Sequence, residues 1–368
     1  MNLRIGKLQN WLQEQQIDFA FINHSRNIYY LTGYDSEPHE RLLGLVVPAL
    51  HDPILICPKL DQAAAQQSGW SGEMVTYDDT EDPWVILQDS LSEKSFTGPA
   101  MKVAIEMDSI SYSRALRVQS LGQEISFTDL EAQINFMRQV KDEQELQILQ
   151  EAAKLADLGV EIGVKALQVG ITETEVVAKI EYELKKQGIQ GMSFDTMVLF
   201  GEKSALPHGT PGDRKLKKGD LVLFDLGVVW RGYCSDITRT IAFGSITSEQ
   251  ERIYQTVLEA ELTAISRVKA GVPLGEIDRA ARDVIRQAGY GDYFPHRIGH
   301  GLGISVHEFP SITETNQDLL VEGFVFTIEP GIYLPNVGGV RIEDDIVVGA
   351  DGPVILTGFP KELLIVEE

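Results

Sequence analysis

Residues 221–243 read LVLFDLGVVWRGYCSDITRTIAF, a stretch in which two acidic residues stand inside apolar runs. The runs predict two buried strands, and Trp230-Arg231 between them predicts the turn of a hairpin. In that register Asp225 faces Asp236, although a shift by one residue stays open because Trp-Arg is not a favoured turn pair. Opposed Cβ atoms are about 4.5–5.5 Å apart, a distance at which like charges destabilise a sheet unless a cation lies between them. The stretch therefore predicts a metal site.

Three further motifs carry residues of the same kind. His300 stands between two glycines in GHGLG, where the permissive backbone allows the ring to be aimed freely. Glu329 ends an apolar strand in TIEPG, and a carboxylate in that setting needs a partner. In VRIEDD, Arg341 and Glu343 share one face of a predicted strand whose apolar flanks indicate a buried sheet. Together with the hairpin, these motifs give five candidate metal ligands: Asp225, Asp236, His300, Glu329 and Glu343.

The donor types indicate which metal fits and which chemistry follows. Four carboxylates and one imidazole are mainly hard oxygen donors, which suit Mn²⁺, with Co²⁺ or Zn²⁺ as alternatives. Two divalent ions held about 3.5–4 Å apart lower the pKa of water and polarise an electrophile. The five residues therefore predict a dinuclear metallohydrolase.

Composition limits the possible partners and the compartment. The chain has 368 residues, 43% of them hydrophobic, which suits two domains with sizeable cores. Its net charge of −23 and its pI near 4.7 oppose binding to nucleic acid or to an anionic membrane surface. The cysteines, Cys57 and Cys234, lie in apolar runs and predict buried reduced thiols. No apolar run approaches the ~18 residues of a membrane span and the N-terminus lacks an apolar leader, so we expect a cytoplasmic protein.

The pattern of predicted helices and strands changes near residue 131. Before it, short helix and strand patterns alternate, with DFAFI, LLGLVV, PILIC and KVAIEM as strands, so we predict a small α/β domain over residues 1–131. Ser109 or Ser111 is expected to cap a helix there, and the segment has no glycine-rich phosphate loop. Beyond it, NFMRQVKDEQELQILQ and the residues that follow read as one long helix, which opens a second domain over residues 132–368.

A weak internal repeat divides the second domain. Residues 170–189 align without gaps on residues 271–290, with glycine at the start and near the end and glutamate at the sixth place. Any two amphipathic helices would share part of this likeness. Each copy, however, follows another helix and precedes strands that carry candidate ligands. The pattern therefore predicts two α/β halves related by pseudo-symmetry, with the metal site between the halves.

Taken together, these motifs resemble the Xaa-Pro dipeptidase (prolidase) and aminopeptidase P family, the metal-dependent peptidases of the pita-bread fold. The resemblance covers nearly the whole chain and implies an α/β protein of two domains: a creatinase-like N-terminal α/β domain and a pita-bread catalytic domain of α+β type with a pseudo-two-fold axis. It also implies that Asp236 and Glu343 bridge two metals, that Asp225 completes one metal site, and that His300 and Glu329 complete the other.

The same resemblance assigns side chains that meet the substrate. His208 in SALPHGTP is similar to the family's substrate-binding histidine, and His307 in VHEFP to the histidine near the scissile carbonyl and the developing oxyanion. His296 matches a further active-site histidine, Tyr333 a tyrosine of aminopeptidase P-like members, and Arg341 the arginine beside the last metal glutamate.

The implied reaction is hydrolysis of the peptide bond that precedes proline in a small peptide, most simply an Xaa-Pro dipeptide. Catalysis would involve His208, His307, Arg341 and Glu329, with Glu329 carrying a proton to the leaving imino nitrogen. Two alternatives stay open: an aminopeptidase P that trims longer Xaa-Pro peptides, and a non-catalytic binding module on the pita-bread fold. The complete ligand set argues against the binding module and against creatinase, which works without metal.

Dipeptide specificity requires a group that blocks the far side of the proline and binds its carboxylate. The polar loop SEPHER, residues 36–41, precedes a predicted strand. We expect His39 or Arg41 to reach an active site, by way of the partner subunit in a homodimer, with an ordinary surface loop as the alternative. The compact N-terminal domain and the HRIGHGLGISVHEFP motif look most like the small bacterial prolidases.

Overall fold

The computed structural model describes residues 3–94 and 98–367. The chain forms two compact units that divide after Arg138. The N-terminal unit is a sheet covered by helices. Its strands are β1 (Phe19–Ile22), β2 (Gly44–Pro48), β3 (Ile54–Pro58), β4 (Glu73–Tyr77), β5 (Met101–Ile105) and β6 (Ile125–Asp129). Its helices are α1 (Leu3–Glu14), α2 (Ser25–Thr32), α3 (Gln62–Gln67), α4 (Pro83–Glu93), α5 (Tyr112–Gln119) and α6 (Glu131–Gln139).

The strand order β4-β3-β2-β1-β5-β6 makes this a mixed sheet, in which β1 is antiparallel to β2 and parallel to β5. The four apolar segments predicted as strands form β1, β2, β3 and β5. Of the two serines offered as a cap, Ser111 begins α5, and its hydroxyl accepts a 3.3 Å hydrogen bond from the backbone N–H of Arg114. Local sequence therefore sufficed to find these elements.

The stretch expected to form one long helix is two helices. Helix α6 ends at Gln139, and Asp142 then caps α7 in a reciprocal capping box with Glu145. Helix α6 is bonded to the N-terminal unit: Tyr30 Oη donates to Met137 O at 2.7 Å, and Arg138 Nη1 donates to Asn27 Oδ1 at 2.7 Å. The compact unit consequently extends past the predicted boundary at residue 131.

The second unit contains the helices and strands that carry the candidate ligands. Its helices are α7 (Glu143–Ala166), α8 (Glu173–Lys186), α9 (Ser248–Ile265) and α10 (Leu274–Gln287). Its first strands are β7 (Gly191–Met192), β8 (Met197–Phe200), β9 (Asp220–Leu226), β10 (Val228–Trp230), β11 (Tyr233–Cys234) and β12 (Ile237–Phe243). The later strands are β13 (Gly299–Gly301), β14 (Glu308–Ile312), β15 (Val325–Ile328), β16 (Gly331–Leu334), β17 (Gly338–Arg341), β18 (Asp344–Gly349), β19 (Gly352–Ile355) and β20 (Ile365–Val366).

The second unit contains two larger sheets, each packed against its own pair of helices, as the internal repeat predicted. The orders β20-β12-β9-β8 and β14-β13-β15-β18-β19 form the larger sheets, while β16-β17 and β11-β10-β7 form small ones. One core packs α7 and α8 against the first sheet around Val160, Ile180 and Phe224. The other packs α9 and α10 against the second sheet around Ile277 and Phe326. Each half thus buries its own sheet face against its own helix pair.

The two repeat segments begin with the same glycine turn and continue into helices of equal length. Helices α8 and α10 are both 14 residues long, and each begins three residues after a glycine. Those glycines, Gly170 and Gly271, have φ of 85° and 86°. Their N–H groups donate to Leu216 O at 3.0 Å and to Leu320 O at 2.8 Å. The shared left-handed turn explains why glycine opens both segments.

Both cysteines are buried and neither forms a disulfide bond, as predicted. Burial raises the pKa of Cys57 to about 11, so this thiol stays protonated and unreactive. Among the described residues, we find no helix with the length and apolar character needed to cross a membrane.

Candidate active site

The five candidate ligands lie on or directly beside strands in both halves of the second unit. Asp225 lies near the end of β9, His300 at the centre of β13, and Glu329 directly after β15. Asp236 and Glu343 directly precede β12 and β18. Ligand atoms of Asp236, His300 and Glu343 lie within 4.8 Å of one another, and all three side chains are buried. The fold therefore gathers carboxylates that are far apart in sequence into one cluster.

The hairpin that carries Asp225 and Asp236 has a different register from the predicted one. Asp225 pairs with Thr238, and the pairing of Trp230 with Tyr233 leaves Arg231-Gly232 as the two-residue loop. These two residues have φ of 47° and 78°, as a type I′ turn requires. The expected turn at Trp230-Arg231, and with it the direct opposition of the two aspartates, was wrong. The one-residue shift that the sequence left open is what occurs, because only the later position supplies a glycine for the turn.

The glycines beside His300 serve close packing. A Cβ on Gly299 would lie 1.8 Å from Thr327 O, and one on Gly301 would lie 2.4 Å from Phe309 O. Neither glycine has a positive φ. The expectation that they supply backbone freedom was wrong, since they instead let β13 lie between two neighbouring strands without a clash.

The segment that carries Arg341 and Glu343 is not one continuous strand. Strand β17 pairs with β16, while β18 pairs with β15, and the chain changes sheets at Ile342 and Glu343. At this break, Glu343 N donates to Thr238 O at 3.1 Å. The Thr238 hydroxyl donates to Glu343 Oε2 at 2.6 Å and accepts from Arg341 Nε at 3.1 Å. Thr238 therefore fixes both residues, which the sequence had placed on one strand face.

The cluster is electrostatically suited to cations. Burial, followed by the charge of neighbouring carboxylates, raises the pKa of Asp236 and of Glu343 well above the usual range. Burial likewise raises the pKa of Glu329 to about 7. Asp225 Oδ1 and Asp236 Oδ1 are buried and accept no hydrogen bond from the described residues. Unpartnered acceptors and mutually repelling acids are what a divalent metal would satisfy, so the residues fit the ion.

His300 is prepared to act as a neutral ligand. Burial lowers its pKa to about 3, so the ring is uncharged near neutral pH. Its Nδ1–H donates to the carbonyl of Gly301 at 3.1 Å, which leaves the lone pair on Nε2. That nitrogen lies 3.8 Å from Asp236 Oδ2 and 3.6 Å from Glu329 Oε1. The imidazole thus faces the carboxylates with the atom that can bind a metal.

A hydrogen-bonded row runs from the cluster through Arg341 to His296. Arg341 Nη2 donates to Asp225 Oδ2 at 2.5 Å, and Arg341 Nη1 donates to the Tyr333 oxygen at 2.8 Å. The Tyr333 hydroxyl donates to His296 Nε2 at 2.8 Å, because Nδ1–H of that ring donates to Arg297 O. Burial lowers the pKa of His296 to about 4 and raises that of Tyr333 to about 12. Both groups are therefore neutral near pH 7.

One cavity of about 530 Å³ joins the cluster to the predicted substrate-binding side chains. His307 is exposed at its surface, with its ring centroid 4.1 Å from that of His300. His208, on the segment after β8, also lines the cavity and is exposed. Burial, followed by the nearby charge of Arg297, lowers the pKa of His307. Every site residue predicted in the second unit lines this cavity: His208, Asp225, Asp236, His296, His300, His307, Glu329, Tyr333, Arg341 and Glu343.

Comparison with known families accounts for both units. The family described as metallopeptidase family M24 matches residues 147–350, and the creatinase/prolidase N-terminal domain matches residues 4–140. The chain belongs to metallopeptidase family M24. The resemblance to prolidases and aminopeptidase P is thereby confirmed, as is the predicted order of a creatinase-like domain and a pita-bread catalytic domain.

Relatives of this M24 peptidase match along its full length. It is 54% identical over 362 residues to the Bacillus subtilis protein named "Putative dipeptidase YkvY", covering 98% of this chain and 99% of the relative. A dipeptidase structure from Pyrococcus horikoshii has 38% identity and a TM-score of 0.91, covering 99% of this chain and 100% of the other. An Xaa-Pro dipeptidase from Bacillus anthracis has 32% identity and a TM-score of 0.91, with 99% of both chains covered.

Two residues of this M24 peptidase's site were missed by sequence reasoning. Thr238 joins Arg341 to Glu343, and its place two residues after Asp236 in a strand was a usable signal, since alternate residues share a face. Arg297 lines the cavity and follows His296 in the HRIGHG motif. The usable signal for Arg297 was a charged side chain within a stretch that is otherwise rich in glycine and apolar residues.

The loop at residues 36–41 belongs to the N-terminal unit of the M24 peptidase. His39 is exposed and has a φ of 56°. Arg41 donates from Nε to Asp79 Oδ1 at 2.9 Å and from Nη2 to Asp79 Oδ2 at 3.1 Å. The Arg41 charge is therefore matched within its own unit, and its predicted role in the active site stays a prediction.

Proposed function

We propose that this M24 peptidase hydrolyses the peptide bond preceding proline in Xaa-Pro dipeptides, using two divalent metal ions. The main support for the proposal is the composition of the cavity, which is lined by buried carboxylates, a neutral His300 and two exposed histidines, His208 and His307. The prolidase-type N-terminal domain and the full-length likeness to an Xaa-Pro dipeptidase support the same substrate class.

Asp225, Asp236, His300, Glu329 and Glu343 are the residues that would hold the metal ions. Their oxygen-rich donor set favours Mn²⁺. When bound, the ions lower the pKa of water and polarise the scissile carbonyl. The second carboxylate oxygens of Asp225 and Asp236, which are buried and unpartnered among the described residues, support binding by more than one ion.

Glu329 is the proposed proton carrier between the attacking water and the leaving imino nitrogen. Its side chain is 17% exposed, compared with 6% for Asp236, so it has access to the cavity. Burial raises the pKa of this carboxyl group in the metal-free site and a bound cation would lower it again, so the proposed role rests on the place of Glu329 in the cavity wall. The imino nitrogen of proline must receive a proton to leave, because the tertiary amide has no N–H of its own.

The exposed histidines are proposed to hold the substrate. A neutral His307 beside His300 is placed to donate a hydrogen bond toward the carbonyl oxygen as negative charge develops there. His208 is proposed to grip the proline side of the substrate from the segment after β8. The row formed by Arg341, Tyr333 and His296 is proposed to keep Asp225 oriented and the cavity wall rigid.

We also propose that the enzyme is a homodimer that works in the cytoplasm. Two cysteines that form no disulfide bond support a reducing compartment. In a homodimer, the loop at residues 36–41 of one protomer would limit the length of peptide that its partner accepts. Light scattering at micromolar concentration measures the mass, and a monomer would remove this part of the proposal.

The deciding experiment compares peptides with and without proline at the second position. Chelated protein is reloaded with Mn²⁺, Co²⁺ or Zn²⁺ and assayed on Leu-Pro, Leu-Pro-Pro and Leu-Ala. We expect Leu-Pro to be cleaved fastest, Leu-Ala at least about tenfold more slowly, and the chelated protein to be inactive. Faster cleavage of Leu-Pro-Pro would favour an aminopeptidase P instead. Absence of any metal-dependent cleavage would favour the third alternative, a non-catalytic binding module on the same fold.

A further inference from the structure

Arg297 is a cation of the active-site cavity whose one side-chain hydrogen bond within the described residues goes to a neutral group. Two guanidinium groups line the cavity, and that of Arg341 is bonded to Asp225 at 2.5 Å. Arg297 instead donates from Nη1 to the neutral hydroxyl of Ser311 at 3.0 Å. In the described part of the chain it forms no ion pair. A guanidinium in a concave site with only a neutral partner favours an incoming anion.

The strand register places this cation beside the metal cluster. Ser311 in β14 lies directly opposite His300 in β13, and opposed residues have Cβ atoms about 4.5–5.5 Å apart. The guanidinium that bonds to Ser311 therefore lies one cross-strand step from a proposed metal ligand. The proline carboxylate of a dipeptide lies one residue beyond the scissile carbonyl, a span of roughly 3.3–3.6 Å. Both spacings are a few ångströms, so a guanidinium group one strand away from the cluster is within reach of that carboxylate.

We infer that Arg297 binds the free C-terminal carboxylate of the dipeptide and makes this site a dipeptidase. The inference rests on the proposed function and deepens it. A guanidinium accepts a carboxylate through two parallel N–H···O bonds. In a longer Xaa-Pro peptide, the same position holds an uncharged peptide group, which offers one oxygen and no charge. Arg297 thus discriminates by charge between the two peptides.

The test uses two substrates that differ only in this charge, Leu-Pro and its amide Leu-Pro-NH2. The metal-loaded wild type is compared with Arg297→Gln and with Arg297→Lys, which keeps the charge. Arg286→Gln is the matched control, because Arg286 is an exposed arginine on α10 that pairs with Glu314. Thermal unfolding of each variant verifies that it is folded.

The wild type is expected to prefer Leu-Pro over the amide by about 10- to 100-fold, equivalent to ~1.4–2.7 kcal/mol. Arg297→Gln is expected to raise KM for Leu-Pro by a similar factor while kcat/KM for the amide changes less than about threefold. Arg297→Lys should retain part of the preference and Arg286→Gln all of it. Calorimetric titration into the metal-loaded proteins should show that Arg297→Gln weakens the binding of L-proline and leaves the binding of L-prolinamide unchanged.

Other results overturn the inference in distinguishable ways. Equal cleavage of Leu-Pro and the amide by the wild type, or equal losses on both substrates in Arg297→Gln, would refute the role of Arg297 and leave the proposed reaction intact. Inactivity of the loaded wild type on every Xaa-Pro substrate would refute the proposed function, and this inference with it.

Discussion

Nε2 of His300 lies 3.6 Å from Oε1 of Glu329, beyond hydrogen-bonding distance although both atoms face the same point. Oδ2 of Asp236 stands 3.8 Å from the same nitrogen. Two ligand atoms that are each about 2.0–2.2 Å from one ion are separated by about this much. The spacing is therefore that of side chains arranged around a shared cation, and five experiments follow from the surrounding structure.

His300→Ala is expected to lower both metal content and activity. Removal of a group that only supports a ligand costs about 10- to 100-fold in metal affinity or activity, so loss of a ligand should reduce kcat/KM by more than about 100-fold. Elemental analysis of dialysed protein and an assay on Leu-Pro measure the two effects. His51→Ala, at an exposed position of the N-terminal unit, is the control. Full metal content in His300→Ala would contradict the ligand assignment.

The metal-free protein should become less stable as the pH rises. Burial raises the pKa of Glu329 from 4.5 to about 7 and raises those of Asp236 and Glu343. Such carboxyl groups hold more protons in the folded than in the unfolded state, so their stabilising contribution is lost as the pH rises through the folded pKa. Thermal unfolding of chelated protein between about pH 6.5 and pH 8, above the range in which the buried neutral histidines would take up protons on unfolding, should show a falling midpoint.

Addition of Mn²⁺ should remove that pH dependence and release protons, because the ion binds the ionised carboxylates. Calorimetry in two buffers of different ionisation enthalpy counts the released protons. A metal-free protein whose stability rises over the same range would contradict the buried, protonated cluster.

Tyr333→Phe should weaken the row that holds Arg341 and His296. The hydroxyl accepts from Arg341 and donates to His296 at 2.8 Å each, and Tyr333 is 5% exposed. Unpartnered buried groups cost about 1–3 kcal/mol, and we expect kcat/KM to fall by about tenfold with unchanged metal content. Tyr182→Phe, 65% exposed on α8, is the matched control. Equal behaviour of the two variants in denaturant unfolding and assay would exclude a role for the hydroxyl.

Gly299→Ala should destabilise the second unit severely. The added Cβ would lie 1.8 Å from Thr327 O, so β13 would have to move away from β15. We expect a loss of more than about 3 kcal/mol in the free energy of unfolding, or insoluble protein. Gly191→Ala is the control, because its Cβ would meet no atom within 4 Å. A stable, active Gly299→Ala would show that the close strand approach is not required.

Arg41→Ala tests the loop at residues 36–41. If this loop limits substrate length in a homodimer, the variant should cleave Leu-Pro-Pro faster relative to Leu-Pro than the wild type does. Loss of the exposed ion pair with Asp79 should itself leave stability nearly unchanged, because solvent screens both charges. An unchanged ratio of the two rates would leave the loop as ordinary surface.

The sequence alone predicted the order of the two domains, the helices α8 and α10, and most of the side chains that line the cavity. These follow from local information: apolar periodicity identifies α8, α10 and the strands, and a carboxylate inside an apolar run marks Asp225 or Glu329 wherever the chain folds.

The tertiary structure decided how those residues meet. It set the Arg231-Gly232 turn, the strand change at Glu343, the packing role of Gly299 and the position of Arg297 beside Ser311. Each depends on which strand lies next to which and in what register. Such pairing is fixed by contacts between residues distant in sequence, so a local sequence pattern does not predict it.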